Sequence, residues 1–199
     1  MRDVAEGARV LLIGQGPTAA SALQGLLDGF LVVGLVRPAP ADGERDEASE
    51  ASRSRGVPVH AETSPDSIEL LVETLRPDCV VVSSYDRILS PGLLSRCPFL
   101  NVHYAPLPRY RGRANVNWAL LNGEAETAIT IHRLAPGLDA GEILFQERVR
   151  IGPRETVGGL YERLNEIQRS AIAPAVHRCL RGEPGEAQRE EDATYGSSR

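Results

Sequence analysis

The chain has 199 residues, 42% hydrophobic and 25% charged, the profile of one globular domain rather than of a disordered chain, a collagen or a membrane-spanning protein. All 22 basic residues are arginine, which excludes a Schiff-base enzyme and a P-loop kinase, since both need a lysine amine. A net charge of −5 implies no broad basic surface, so neither a nucleic-acid partner nor a membrane is expected.

Arg9 to Gly14 is a short apolar run ending in glycine, which predicts a buried parallel strand. Helical apolar spacing follows over Pro17 to Leu27, at Ala20, Leu23, Leu26 and Leu27, and a second strand over Phe30 to Val36. From Arg37 to Gly56 the composition turns to Pro, Ala, Ser, Glu and Arg; this stretch buries little and is expected to be a poorly ordered solvated loop or a short surface helix. A short strand over Val57 to Ala61 precedes a helix opened by Ser64-Pro65, with Ile68, Leu71, Val72 and Leu75 on one face. Asp78 to Ser83 reads as a central strand, Pro91 to Arg96 as a short helix, Phe99 to Tyr104 as another strand and Arg113 to Asn122 as a helix. Two strand-like runs, Thr127 to Leu134 and Glu142 to Ile151, flank a turn-rich loop and suggest an antiparallel pair. The longest helical pattern spans Thr156 to Leu180.

This alternation predicts an α/β fold: a Rossmann-like, mostly parallel twisted sheet with helices on both faces and an antiparallel hairpin at one side. Residues 1–182 are read as the catalytic domain and 183–199 as a polar tail lying extended over the surface. Cys79, Cys97 and Cys179 have neither zinc spacing nor an even count, and no signal peptide is read before them, so they are expected to be reduced thiols of a cytoplasmic protein without a metal site.

Three groups of residues could carry chemistry. Gly14-Gln15-Gly16-Pro17-Thr18-Ala19 is a G-x-G-x-x-A turn between strand and helix, with Arg37 closing the next strand. It reads either as an NADP site, and hence an oxidoreductase, or as the tight bend that an α/β sheet needs. Asn101 and His103, two apart on a strand, point the same way at its carboxyl end, where open α/β sheets place ligands; alternatively the histidine ties the strand end to a loop. Asp139 lies in the loop Ala135-Pro136-Gly137-Leu138-Asp139-Ala140-Gly141, where a carboxylate is either catalytic or plain turn chemistry. His132 is a weaker candidate, and His60 and His177 stand without company. There is no G-x-S-x-G elbow, no H-E-x-x-H and no catalytic cysteine signature.

Taken together, Asn101-Val102-His103, Leu107-Pro108-Arg109-Tyr110-Arg111-Gly112, Trp118, Asn122-Gly123-Glu124, Thr130-Ile131-His132 and Leu138-Asp139-Ala140-Gly141 resemble one family, the 10-formyltetrahydrofolate-dependent formyltransferases. Within it the stretch Arg111 to Thr127 looks most like the domain that formylates UDP-4-amino-4-deoxy-L-arabinose, with methionyl-tRNA formyltransferase next. Gln188 to Arg199 is similar to the segment that leads into a C-terminal barrel in longer members, and that barrel is not expected here. The chain departs from the common pattern at Asn115, where many members carry proline, at Ala128, where they carry glycine, and at Ala105, where they carry serine.

The resemblance implies catalytic roles for Asn101, His103 and Asp139: donors to a developing oxyanion from Asn101 and His103, and proton movement through His103 and Asp139, either of which could be the formal base. It implies 10-formyltetrahydrofolate as co-substrate, seated against Arg87, Ile88, Leu89, Val102, Gly137, Leu138 and Asp139. The acceptor, a small-molecule amine and first of all a nucleotide-linked amino sugar, is expected near Tyr104, Arg109, Arg111 and Gly112. An amino acid, a carrier-bound aminoacyl group, or water in a formyltetrahydrofolate hydrolase are the alternatives. The acceptor would be chosen by this domain's own loops or by a partner subunit, with a homodimer among the expected assemblies.

Overall fold

A computed structural model describes residues 7–39, 45–62, 64–113 and 115–196. Seven strands form one sheet in the order β3-β2-β1-β4-β5-β6-β7. They are β1 (Arg9–Gly14), β2 (Leu31–Pro38), β3 (Val59–Glu62), β4 (Cys79–Ser83), β5 (Phe99–His103), β6 (Glu126–Arg133) and β7 (Ile143–Arg150). The first five run parallel, and β6 and β7 are antiparallel additions on the β5 side. The predicted α/β architecture, parallel sheet with an antiparallel hairpin at one side, is the observed one. Among the described residues no helix is long and apolar enough to cross a membrane.

Helices α1 (Gly16–Leu27), α2 (Glu47–Ser54) and α6 (Val157–Leu180) supply one apolar layer, packing Leu23, Leu26, Ala48, Leu160, Leu164 and Ile172 onto Val10, Leu12, Val81 and Leu100. Helices α3 (Pro65–Leu75) and α4 (Pro91–Leu94) cover the other face, with Ile68, Val72 and Leu93 on Leu11, Ile13, Val80 and Val82. The short α5 (Asn115–Leu121) buries Val116 in the first layer. Alternating side chains of a strand face opposite ways, so Leu100 and Val102 enter the α1/α6 core while Asn101 and His103 share the face of Phe99. That face changes from apolar to polar along β5, and the candidate residues emerge where it does.

Of the two readings of 37–56, a solvated loop or a short surface helix, the helix is the one observed over 47–54, with more of it buried than expected. Residues 40–44 lie outside the described ones, but 47–54 form α2, which buries Ala48, Ser49 and Ser52. Three small side chains suffice to bury a helix face, a signal that hydrophobicity alone does not carry. Asp46 caps this helix, its Oδ2 accepting from the Ser49 N–H at 2.8 Å and the Ser49 hydroxyl at 2.6 Å.

The segment expected as an extended tail holds a 3-10 turn at Glu190–Asp192 and is bonded to the rest of the chain at two places. Glu186 exchanges both main-chain hydrogen bonds with Ile143, each 2.8 Å, and Tyr195 lies beside Arg111, whose N–H donates to Thr194 and whose carbonyl accepts from Gly196. The three cysteines form no disulfide.

Candidate active site

The Gly14 turn is occupied by the chain itself. A Cβ at Gly14 would sit 1.8 Å from the Ser83 carbonyl oxygen, so glycine there answers the close approach of β4. The Gly16 N–H, which a phosphate would claim, donates to Asp46 Oδ1 at 2.6 Å, and Arg37 lies 3.3 Å from Asp46 Oδ2. Burial pushes the Asp46 carboxyl up, but the Ser49 and Gly16 hydrogen bonds and the Arg37 charge outweigh it and hold its pKa below the ordinary value. Of the two readings of this turn, the structure supports the tight bend.

At the carboxyl end of β5 the picture differs. Asn101 Nδ2 donates to Asp139 Oδ1 at 3.2 Å and reaches His132 Nε2 at 3.2 Å. His132 lies opposite Asn101 on β6, its Nδ1 2.9 Å from the Arg133 carbonyl and its Nε2 3.5 Å from Asp139 Oδ1. His103 Nδ1 is 3.7 Å from Asp139 Oδ2, too long for a direct hydrogen bond and short enough for strong electrostatic contact. The second Asp139 oxygen also accepts the Gly112 N–H at 2.9 Å. Asp139 adopts φ +48° in its loop, and the following turn admits only glycine at 141, where a Cβ would lie 1.8 Å from the Arg133 carbonyl oxygen.

His103 is 6% exposed and Asp139 9%. Burial lowers the His103 pKa, against the raising pull of Asp139, so the ring favours its neutral form. For Asp139 burial works upward, but the His132 contact, the electrostatic pull of His103 and the Gly112 N–H outweigh it and bring the pKa from 3.8 to about 2. The outcome is an ionised carboxylate beside a neutral imidazole, a combination suited to moving protons near neutral pH.

The other ring nitrogen of His103 has two neighbours with opposite demands. The Tyr110 carbonyl, 2.8 Å away, needs a hydrogen on Nε2; the Asn115 amide nitrogen, 3.0 Å away, donates best to a bare Nε2. Asn115 Nδ2 also donates to the Gly112 carbonyl at 2.8 Å, which fixes the amide's orientation. Each tautomer of His103 therefore finds one partner at Nε2, the Tyr110 carbonyl for the protonated nitrogen and the Asn115 amide for the bare one.

The remaining expected residues divide into two sets. Gly112 lies within the site through its N–H, and Leu138, 51% exposed, lies against Gly112. Arg113 pairs with Asp86 at 2.9 Å and so joins the Tyr85 to Leu89 loop to this side of the site. On that loop Ile88 is 92% exposed, Leu89 packs on the α3/α4 core, and Arg87 is tied to Glu62 at 3.0 Å. Arg109 is exposed and pairs with Glu124 at 2.7 Å.

Two expectations are corrected. Tyr104 does not face the acceptor side; its ring is buried in the α1/α6 core and its hydroxyl donates to Asn165 Oδ1 at 2.7 Å, because odd and even positions of a strand diverge. Arg111 is 2% exposed, and its guanidinium is engaged by Glu190, Gln188 and Tyr195 of the tail, so it presents no face to an acceptor. Val102 likewise offers only its backbone, since its side chain is in the core. What the sequence reading missed is Gln188 and the Tyr110 carbonyl, neither of which carries a spacing signal. It underrated His132, and it saw Asn115 only as a departure from the family pattern.

A family model described as formyl transferase matches residues 43–176, a span that includes every residue of the Asn101, His103 and Asp139 cluster. This chain belongs to that family. A methionyl-tRNA formyltransferase of Marinobacter nauticus is 34% identical over 201 residues, covering 94% of this chain and 64% of its own length. The chain thus spans somewhat less than two thirds of that relative. Among solved structures, glycinamide ribonucleotide transformylase 1 of Symbiobacterium toebii superposes with a TM-score of 0.79 over 92% of this chain and 93% of its own, at 22% identity. A sugar 3N-formyl transferase, solved in the presence of dTDP and 5-N-formyl-THF, gives 0.75 over 96% and 70%, at 17% identity. At those identities the structural likeness shows the fold, which is the formyl transferase fold.

Proposed function

We propose that this chain transfers a formyl group from 10-formyltetrahydrofolate to a primary amine of a small molecule, a nucleotide-linked amino sugar being the first candidate. The observation that carries the reading is the convergence of one amide, one neutral imidazole and one ionised carboxylate, Asn101, His103 and Asp139, on the carboxyl edge of a family-typical sheet. A flat heteroaromatic co-substrate fits the apolar Ile88 and Leu138 side chains left open beside the site and the main-chain groups of their loops.

In the proposed reaction the amine nitrogen bonds to the formyl carbon, the bond from that carbon to N10 breaks, and one proton passes from the amine to N10. Asn101 exchanges its Asp139 contact for the formyl oxygen and donates to the charge that develops there, a contribution of about 3 kcal/mol. That exchange frees Asp139 Oδ1. His103 takes the amine proton at Nδ1 while the Tyr110 carbonyl holds the hydrogen on Nε2, and Asp139 stabilises the ring cation so formed. The same Nδ1 then delivers the proton to the leaving nitrogen, so charge and hydrogens balance.

The curated relatives' names bring a second acceptor, methionyl-tRNA, which the net charge of −5 disfavours because a polyanion gains no attraction from such a surface. Purified protein is to be given 10-formyltetrahydrofolate with a panel of amines: UDP-linked and dTDP-linked amino sugars, glycinamide ribonucleotide, free amino acids and methionyl-tRNA. Tetrahydrofolate release that depends on an amino sugar, with N-formylated product by mass, is the expected result. Release at full rate without any amine makes the protein a hydrolase, and release only with the aminoacylated RNA moves the acceptor assignment to that substrate.

A further inference from the structure

Asp139 is a strained residue on a loop, yet the proposed chemistry needs it fixed within a fraction of an ångström of His103. Asn101, His132 and Gly112 hold its carboxylate. Its main chain is held from another direction. Gln188 in the tail donates from Nε2 to the Asp139 carbonyl at 2.7 Å and to the Gly141 carbonyl at 2.8 Å. Its Oε1 accepts from Arg111 Nη2 at 3.1 Å and Nε at 3.3 Å. One amide side chain therefore joins the Asp139 loop to the loop that carries Tyr110, Arg111 and Gly112.

Arg111 is the middle of that second loop in a chemical sense as well. The residue before it gives the carbonyl that accepts from His103 Nε2, and the residue after it gives the N–H that Asp139 Oδ2 accepts. Fixing Arg111 against Asp139 thus fixes the tautomer partner of one member of the site and a hydrogen-bond donor to another. The tail does not need Gln188 in order to dock. It is already pinned by the Glu186–Ile143 pair, by the main-chain bonds of Thr194 and Gly196 around Arg111, and by the Glu190–Arg111 ion pair.

We infer that Gln188 is a positioning residue of this site, a brace between the Asp139 loop and the Arg111 loop that sets the distance from Asp139 to His103. The inference rests on the reading of this cluster as a formyl transfer centre.

The test compares Gln188→Leu, Gln188→Glu and Arg189→Ala in the full chain. Leucine removes both arms of the brace. Glutamate keeps the arm to Arg111 and sets a carboxylate against the Asp139 and Gly141 carbonyls, so it separates tail docking from bracing. Arg189, an exposed neighbour paired with Glu191 outside the site, is the control for the tail.

With the amine that the parent formylates, both Gln188 variants are expected to lose about 10²-fold in kcat, the cost of an ångström-scale misplacement, with KM for 10-formyltetrahydrofolate within about twofold. The acid limb of kcat/KM, set by protonation of the His103 base, moves to lower pH in both, because an Asp139 held less closely raises the His103 pKa less. Arg189→Ala retains the parent profile. A parent-like acid limb and kcat in the Gln188 variants, or a loss of thermal stability with the pH profile unmoved, overturns the inference. Should Gln188→Leu fail to fold, by circular dichroism, Gln188→Glu carries the comparison.

A readout independent of turnover separates this inference from the functional reading. With four histidines in the chain, ring NMR signals of His103 and His132 can be assigned by substitution and followed down to pH 2 as reporters of Asp139 ionisation. If the parent transfers no formyl group, the functional reading fails alone, and an acid step displaced upward in Gln188→Leu still supports the brace. An acid step identical in the parent and in Gln188→Leu removes it.

Discussion

Asp46 and Asp139 are both buried carboxylates at the carboxyl edge of the same sheet, and both have pKa values held below the ordinary value. Their surroundings separate them. Asp46 meets a guanidinium, the Gly16 N–H and the first turn of α2, so its charge is matched by a fixed cation and by hydrogens it cannot exchange. Asp139 meets two imidazoles, a side-chain amide and one main-chain N–H. Among the described residues no arginine is paired with it, and its charge faces imidazole rings instead. The region with the more familiar glycine pattern is filled by the chain's own contacts; the region that looked like turn chemistry brings together the groups of the proposed site.

The comparison is sharpened most by Asp139→Asn, which is expected to reduce formyl transfer by about 10³-fold or more while the fold persists, measured as single-turnover tetrahydrofolate release. Parent-like turnover would end the assignment of Asp139. Asp46→Ala should do the reverse: breaking a buried ion pair costs about 3–5 kcal/mol, read as a fall in the urea midpoint, while kcat of the folded protein stays within about twofold. A loss of turnover matching that of Asp139→Asn would erase the difference between the two regions. Asn101→Ala removes an oxyanion donor and should lower kcat by about 10²-fold, with little effect on folate binding by fluorescence.

The pH dependence gives a smaller effect. Because the Asp139 pKa is lowered from 3.8 to about 2 on folding, its carboxylate contributes about 2 kcal/mol of stability, fully present above pH 4 and lost as the pH falls toward 2. Urea titrations at pH 6 and pH 3 should show that slope in the parent, and Asp139→Asn should flatten it. Smallest of all is the response at the Gly14 turn: NADPH added to the protein should leave nucleotide fluorescence unchanged, since Asp46 already takes the Gly16 N–H.

The sheet and its hairpin were legible because buried parallel strands are continuous apolar runs, as in Cys79–Ser83, and because Gly and Pro punctuate the chain between them. The helix Glu47–Ser54 was only one of two readings of its stretch and its burial was not foreseen, since a face built from Ala48, Ser49 and Ser52 leaves no hydrophobic period. At the site, Asn101 and His103 could be paired from their spacing; Asp139 stood out in its glycine-flanked loop, and a catalytic role for it came from family resemblance. Tyr104 and Arg111 were misread for the same reason that Gln188 was overlooked. Side-chain direction past a strand end, and the partner of a charge, depend on segments far away in the chain.

The amino-acid sequence by itself determined the order of elements, the strand that carries Asn101 and His103, and the absence of lysine chemistry, because these follow from local periodicity and composition. Only the tertiary structure decided which aspartate is paired with a fixed cation and which is set among imidazoles. That outcome depends on what is brought alongside each carboxylate: Arg37 and α2 beside one, two imidazole rings beside the other, with a tail residue 49 positions from Asp139 bonded to its main chain.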